Sequence, residues 1–186
     1  MYKLEGKKVN GIDVEYIWEV VNQISEDPAK GMTHWNVSTQ WKGGTRSDSH
    51  VKGFEVGGQF VEREFTINID EPNELGGTNK FANPQEYLLS ALNACMMVGY
   101  VAACALQGIE LEDVRIETEG DIDLRGFLGI DPNVSPGYDE LKYTVFIKGK
   151  GTAEQFQKVH EIVTATSPNR FNIANRIKLN SDLVVE

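Results

Sequence analysis

A chain of 186 residues points to one domain with at most a small appendage, and 40% hydrophobic residues are enough to build a core. The net charge of −10 argues against nucleic acid or an anionic membrane surface as a partner. Two cysteines do not make a disulfide framework, and neither they nor the three scattered histidines have zinc-ligand spacing, so no metal or cofactor is expected.

The N-terminal stretch lacks an apolar run followed by small residues. No signal peptide is expected, and a reducing cytoplasmic setting fits the cysteine usage. Residues 13–24 predict a helix, with Val14, Ile17, Val20, Val21 and Ile24 on one face and Asp13 as its cap. Pro28 and Gly31 break it. Residues 33–58 read as a hairpin turning near Gly43-Gly44. Residues 59–70, with Phe60, Val61, Phe65, Ile67 and Ile69 among charges, read as a half-wet strand. A Gly/Asn/Pro-rich loop follows; its Gly76-Gly77 lacks a phosphate-loop ending, so it reads as a flexible lead-in.

Residues 85–107 form the longest helix candidate. Residues 113–124 and 141–151 read as strands joined by a long connection. Residues 152–166 predict an amphipathic helix capped by Thr152, carrying Phe156, Val159, Ile162 and Val163 on one face. Residues 167–177 lead out of this helix as a connection, and residues 178–186 are expected to close as a strand. This order gives an α+β fold with helices against a largely antiparallel sheet.

From Tyr87 to Leu106 no residue is charged, which is long enough to cross a bilayer. The segment is rich in Ala, Gly, Ser and Asn, and its neighbours pattern as strands of a water-soluble domain, so a buried core helix is the better reading. A helix apolar all round needs cover on every side. A sheet supplies one side; Ala91, Ala94, Gly99, Ala102 and Ala103 would admit a second copy of the chain on the other. A homodimer is expected.

Cys95 and Cys104 lie roughly 180° apart around such a helix and about 13 Å apart along it, so they cannot pair while it stands. On residue chemistry alone each reads first as a small buried hydrophobe, with a reactive role open for Cys95.

The segment "NPQEYLLSALNACMMVGYVAACALQGIELEDVRIETEGDI" resembles the central segment of the OsmC/Ohr family, the osmotically inducible and organic-hydroperoxide-resistance proteins. The likeness extends over roughly residues 35–186, leaving residues 1–34 as an N-terminal helical extension. It implies an OsmC-like fold: a largely antiparallel sheet packed on a long central helix and a second helix, in an intertwined homodimer with sites at the subunit interface. It also implies a thiol-dependent peroxidase. A first cysteine attacks an organic hydroperoxide, a second resolves the sulfenic acid as a disulfide, and an external thiol reductant recycles the enzyme. An Arg from the early strands and a Glu after Asn-Pro assist. A guanidinium favours the thiolate, which is the nucleophile, and the carboxylate keeps the guanidinium aimed.

Carried over by position, Cys95 is the attacking thiol and Arg46 the Arg, with Arg63 the second choice. Two positions depart from the pattern. Gln85 stands where the Glu is expected, and Glu86 points about 100° away on the helix. Ser167, followed by Pro168, stands where the second cysteine is expected, and a serine cannot form the disulfide. The expected function is therefore a peroxidase using a single cysteine. One alternative is a non-catalytic relative that binds a small apolar ligand at the dimer interface. Another is different chemistry at the same pocket, using Ser167 and Arg170. Arg125 and Arg170 read first as loop anchors, His160 as a satisfied buried histidine, and Trp35, Trp41 and Phe54 as packing, one of them a possible pocket wall.

Overall fold

Asn10 and Gly11 take positive φ (52° and 78°), turning the chain between β1 (Lys8–Val9) and β2 (Ile12–Asp13). The structure, a computed structural model, describes residues 8–185. It divides into two compact units, Met1–Leu88 and Leu89–Glu186.

In the first unit, α1 (Val14–Glu26) starts where expected: the Asp13 carboxylate accepts the Tyr16 N–H at 3.1 Å. None of its residues is fully buried. Four antiparallel strands follow: β3 (Thr33–Trp35), β4 (Ser38–Gly43), β5 (Arg46–Val56) and β6 (Gln59–Ile69). Strand β5 is central. β6 pairs along one edge, and β3 and β4 share the other. The expected hairpin at Gly43-Gly44 is present, and Gly57-Gly58 makes a second reversal, all four glycines at positive φ.

The glycine-rich lead-in is more constrained than the sequence suggested. Fully buried Asp70 accepts the Thr45 hydroxyl at 2.7 Å, the Thr78 hydroxyl at 2.5 Å, and the N–H groups of Thr78 and Lys80, each at 3.2 Å. The Thr78 hydroxyl bond, helped by the others, holds this carboxyl below the usual carboxylate range against the opposing effect of burial. Gly77 crosses so close to the Glu71 backbone that a Cβ there would overlap it. One buried carboxylate organises what composition alone reads as flexible.

The boundary between the units falls within α2 (Pro84–Leu106). Its start is a reciprocal cap: the Asn83 side chain accepts the Glu86 N–H at 2.9 Å, and the Glu86 carboxylate accepts the Asn83 N–H at 2.7 Å. Pro84 sits in the first turn, where its missing N–H costs nothing. At the other end Gly108 (φ 71°) reverses the backbone, with Ile109 N–H donating to Cys104 O at 2.9 Å and Gly108 N–H to Ala105 O at 3.0 Å.

In the second unit Leu92, Met96, Tyr100 and Cys104 recur every four residues and enter one core with Ile109, Val159 and Val163. The last two come from α4 (Ala153–Thr166), which opens with the expected Thr152 cap. β7 (Leu111–Glu119) and β8 (Lys142–Gly149) form an antiparallel pair whose alternate residues Val114, Ile116, Tyr143, Val145 and Ile147 pack on that core. α2 is the one described helix long and apolar enough to cross a membrane, and its stripe of Leu92, Met96, Tyr100 and Cys104 packs in the core of the second unit.

Four expectations change. β7 ends at Glu119, not 124, because Asp123 caps a short helix, α3 (Leu124–Phe127), accepting the Arg125 N–H at 2.9 Å. The segment after Ser167 is not a plain connection but α5 (Pro168–Ala174). The terminal strand is absent among the described residues: 176–185 pair with no edge, and Leu179 and Leu183 are each 88% exposed. A strand is defined by the partner that takes its N–H and C=O groups, and apolar alternation alone does not supply one. Finally, Gly99 faces α4 of the same chain, where a Cβ would lie 3.2 Å from Val163 Cγ1; Ala91 and Ala94 remain exposed.

Candidate functional site

Ser167 is the hinge between α4 and α5. Its extended backbone (φ −69°, ψ 117°) stops α4, and Pro168 restarts a helix at the position where proline is best tolerated. The Ser167 N–H donates to Val163 O and its carbonyl accepts from Phe171 N–H, each at 2.9 Å. With its backbone held from both sides, the buried side chain points at α2. Its hydroxyl donates to Cys95 Sγ at 3.4 Å. Sequence had placed these two residues in one site by resemblance, and the fold brings them into contact across 72 positions of chain.

The surrounding groups fix that contact. Asn169 Nδ2 donates to Ala91 O at 2.8 Å, tying α5 to α2 one turn before Cys95. Arg170 donates through Nε to the Tyr143 hydroxyl (3.0 Å) and through Nη1 to Thr164 O (2.8 Å). Its guanidinium is thus a brace between β8 and α4, the anchoring role expected from sequence. Deeper in the unit the Tyr100 hydroxyl meets His160 Nδ1 at 2.5 Å, so His160 is a satisfied, half-buried histidine as expected. Burial, reinforced by Tyr143 and opposed by Arg170, pushes Tyr100 up to about 12.

The two cysteines differ in environment. Cys104 is fully buried, burial raises its thiol, and its role is packing. Cys95 is only half-buried. A hydroxyl beside it can stabilise a thiolate or a sulfenate by donation, but no disulfide can form there.

The other sequence-selected residues belong to the first unit. Arg46 opens β5. Its guanidinium carbon lies 5.1 Å from the Phe81 ring centroid, and its Nε is buried without a hydrogen-bond partner among the described residues. Buried donors are nearly always satisfied, by a protein group or by a water. Gln85 is exposed in the first turn of α2, and Glu86 beside it is occupied in the helix cap. Arg63, the second choice for the Arg, lies over the rings of Phe54 and Phe65.

Sequence reasoning missed Asn169 and Tyr143 as the supports of this arrangement. The Ser-Pro start of α5 was a readable signal, since proline favours the first helical position; Tyr143 gave none beyond its place in an alternating strand.

A family model described as OsmC-like protein matches residues 77–182. The chain belongs to the OsmC-like family. The match includes Cys95 and Ser167, and Arg46 lies before it. YmaD of Bacillus subtilis (strain 168), an uncharacterized protein, is 28% identical over 91 residues, which is 49% of this chain and 55% of YmaD. The match therefore spans about half of that relative. An OsmC-like protein from Mycoplasma pneumoniae superposes with a TM-score of 0.58 at 15% identity, over 75% of this chain and 86% of its own. An OsmC-like protein of unknown function from Vibrio cholerae gives 0.53 at 15% identity, over 75% and 93%. At these identities the likeness establishes the OsmC-like α+β fold.

Proposed function

We propose that this OsmC-like protein is a single-cysteine, thiol-dependent peroxidase acting on organic hydroperoxides. The observation that carries the reading is the half-buried Cys95 with the Ser167 hydroxyl directed at its sulfur, 3.4 Å away. The Cys95 thiolate attacks the terminal peroxide oxygen; the O–O bond breaks, Cys95 becomes a sulfenic acid, and the alkoxide leaves with a proton as the alcohol. A small thiol or protein dithiol then attacks the sulfenic sulfur, releasing water and forming a mixed disulfide. A second reductant thiol restores Cys95 and leaves as the oxidised disulfide. By the family resemblance, Arg46 is the proposed donor to the peroxide, and Gln85 replaces a carboxylate anchor with a neutral amide. The working form is proposed to be a cytoplasmic homodimer. The exposed α2 residues Leu88, Ala91, Ala94 and Val98, spaced three and four apart, support a second copy covering that face.

The test is steady-state turnover of cumene hydroperoxide with a dithiol, comparing wild type with Cys95→Ser. Turnover that disappears in the variant supports the reading. A wild-type protein with no turnover, whose Cys95 also fails to react with a sulfenic-acid probe after peroxide, overturns it.

A further inference from the structure

Hydroxyls on the helices of this chain return their hydrogen to the backbone. Ser25 donates to Val21 O at 2.7 Å, Thr164 to His160 O at 2.9 Å and Thr166 to Ile162 O at 2.8 Å, each to the carbonyl four residues earlier. Cys95, in the middle of α2, has the same option: its S–H is a weak donor, and Ala91 O stands four residues before it. It does not take that option. Among the described residues the one hydrogen bond at its sulfur is accepted, from the Ser167 hydroxyl at 3.4 Å.

The reason lies at Ala91. A carbonyl oxygen has two lone pairs. One takes the Cys95 N–H, as helical geometry requires. The other takes Asn169 Nδ2 at 2.8 Å. A carbonyl only accepts, so the group facing it is the amide NH2 of Asn169 and not its oxygen. Asn169 is delivered there by its neighbours. The Ser167 backbone is bonded to Val163 and Phe171, and Arg170 braces to Tyr143 and Thr164 O.

We propose that Asn169 is a positioning residue for the Cys95 thiol: by filling Ala91 O it denies the S–H its helical acceptor and leaves the sulfur to the Ser167 donor. A donor to sulfur favours the thiolate, and an acceptor for the S–H favours the thiol. The first is present here and the second is blocked, so the sulfur is held ready as a nucleophile. The assignment concerns the thiol alone and stands whether or not a peroxide is its substrate. All the groups involved belong to the second unit.

The experiment reads the S–H stretching band of Cys95 by infrared spectroscopy of the full chain, isolated as the difference between wild type and Cys95→Ser. That band falls in frequency when the hydrogen is donated. Wild type should show a thiol with no carbonyl acceptor. Asn169→Leu, which keeps the size and removes the donor, should lower the band as the S–H takes the freed lone pair. Iodoacetamide at neutral pH should then alkylate Cys95 about three- to tenfold more slowly in the variant, the worth of one hydrogen bond. Cys104 is fully buried and stays out of the count. A carbonyl-bonded S–H in wild type overturns the proposal before any substitution at 169 is made. So does a band that stays in place in Asn169→Leu, whatever the rate. Faster alkylation of that variant overturns it too, because Asn169 would then be a strut that only keeps α5 over the thiol.

Discussion

Replacing Ser167 with cysteine would restore a second thiol where the hydroxyl now points at Cys95. The two heteroatoms are 3.4 Å apart. A disulfide needs about 2.05 Å, a closure that side-chain rotation can supply because both residues sit on helix-bounded backbone already in contact. The chain between them covers 72 positions, so the loop-entropy relation gives about 4.4 kcal/mol of stabilisation to the oxidised variant. The assay counts thiols after one equivalent of peroxide. Ser167→Cys should fall from three titratable thiols to one, Cys104, with the loss of two hydrogens by mass and a denaturation midpoint that drops on adding reductant. If all three thiols persist, or Cys95 over-oxidises while the new cysteine stays free, the opposition of residues 95 and 167 is not as described and the site reasoning fails.

Three further outcomes are expected. Gly108→Ala should destabilise by about 1 kcal/mol in urea unfolding, because φ is 71° there although nothing crowds the position; a neutral result would refute the helix-end geometry. Tyr100 is raised from 10.0 to about 12 in the folded state, so the native state holds its proton more tightly. The associated stability, roughly 2–3 kcal/mol, is present below pH 10 and lost as pH climbs from there to about 12. Tyr100→Phe should flatten that alkaline limb in pH-dependent denaturation. Asp70 is shifted the other way: its contribution is present above its ordinary value of 3.8 and lost as pH falls toward the lowered folded value. Asp70→Asn should therefore destabilise at neutral pH and make the acid limb shallower, which an acid titration followed by circular dichroism would show.

Elements with a strong period were legible in the sequence. α1, α2 and α4 appear within a residue or two of expectation, because apolar spacing and caps such as Asp13 and Thr152 are local signals. The tail after α5 was misread, because alternation in "KLNSDLVVE" states a preference while a strand also needs an edge to pair with. The glycine-rich lead-in was misread for the opposite reason: its order comes from Asp70, a side chain outside the loop's own pattern. Of the site, family resemblance supplied Cys95 and Ser167, and nothing in the spacing of two residues 72 positions apart could have done so. The bracing by Asn169, Arg170 and Tyr143 is tertiary and left only the proline of α5 as a trace.

Cys95 stands eleven residues from each end of α2, a helix locked by the Asn83–Glu86 cap at one end and by Gly108 at the other. Helices unzip from their ends, and both ends here are clamped. The central amides around Cys95 should be the last of the helix to exchange with solvent. Any reagent that reaches the sulfur must therefore come in sideways, past the flank of an intact rod, and the shape of that flank decides which thiols can act as reductants.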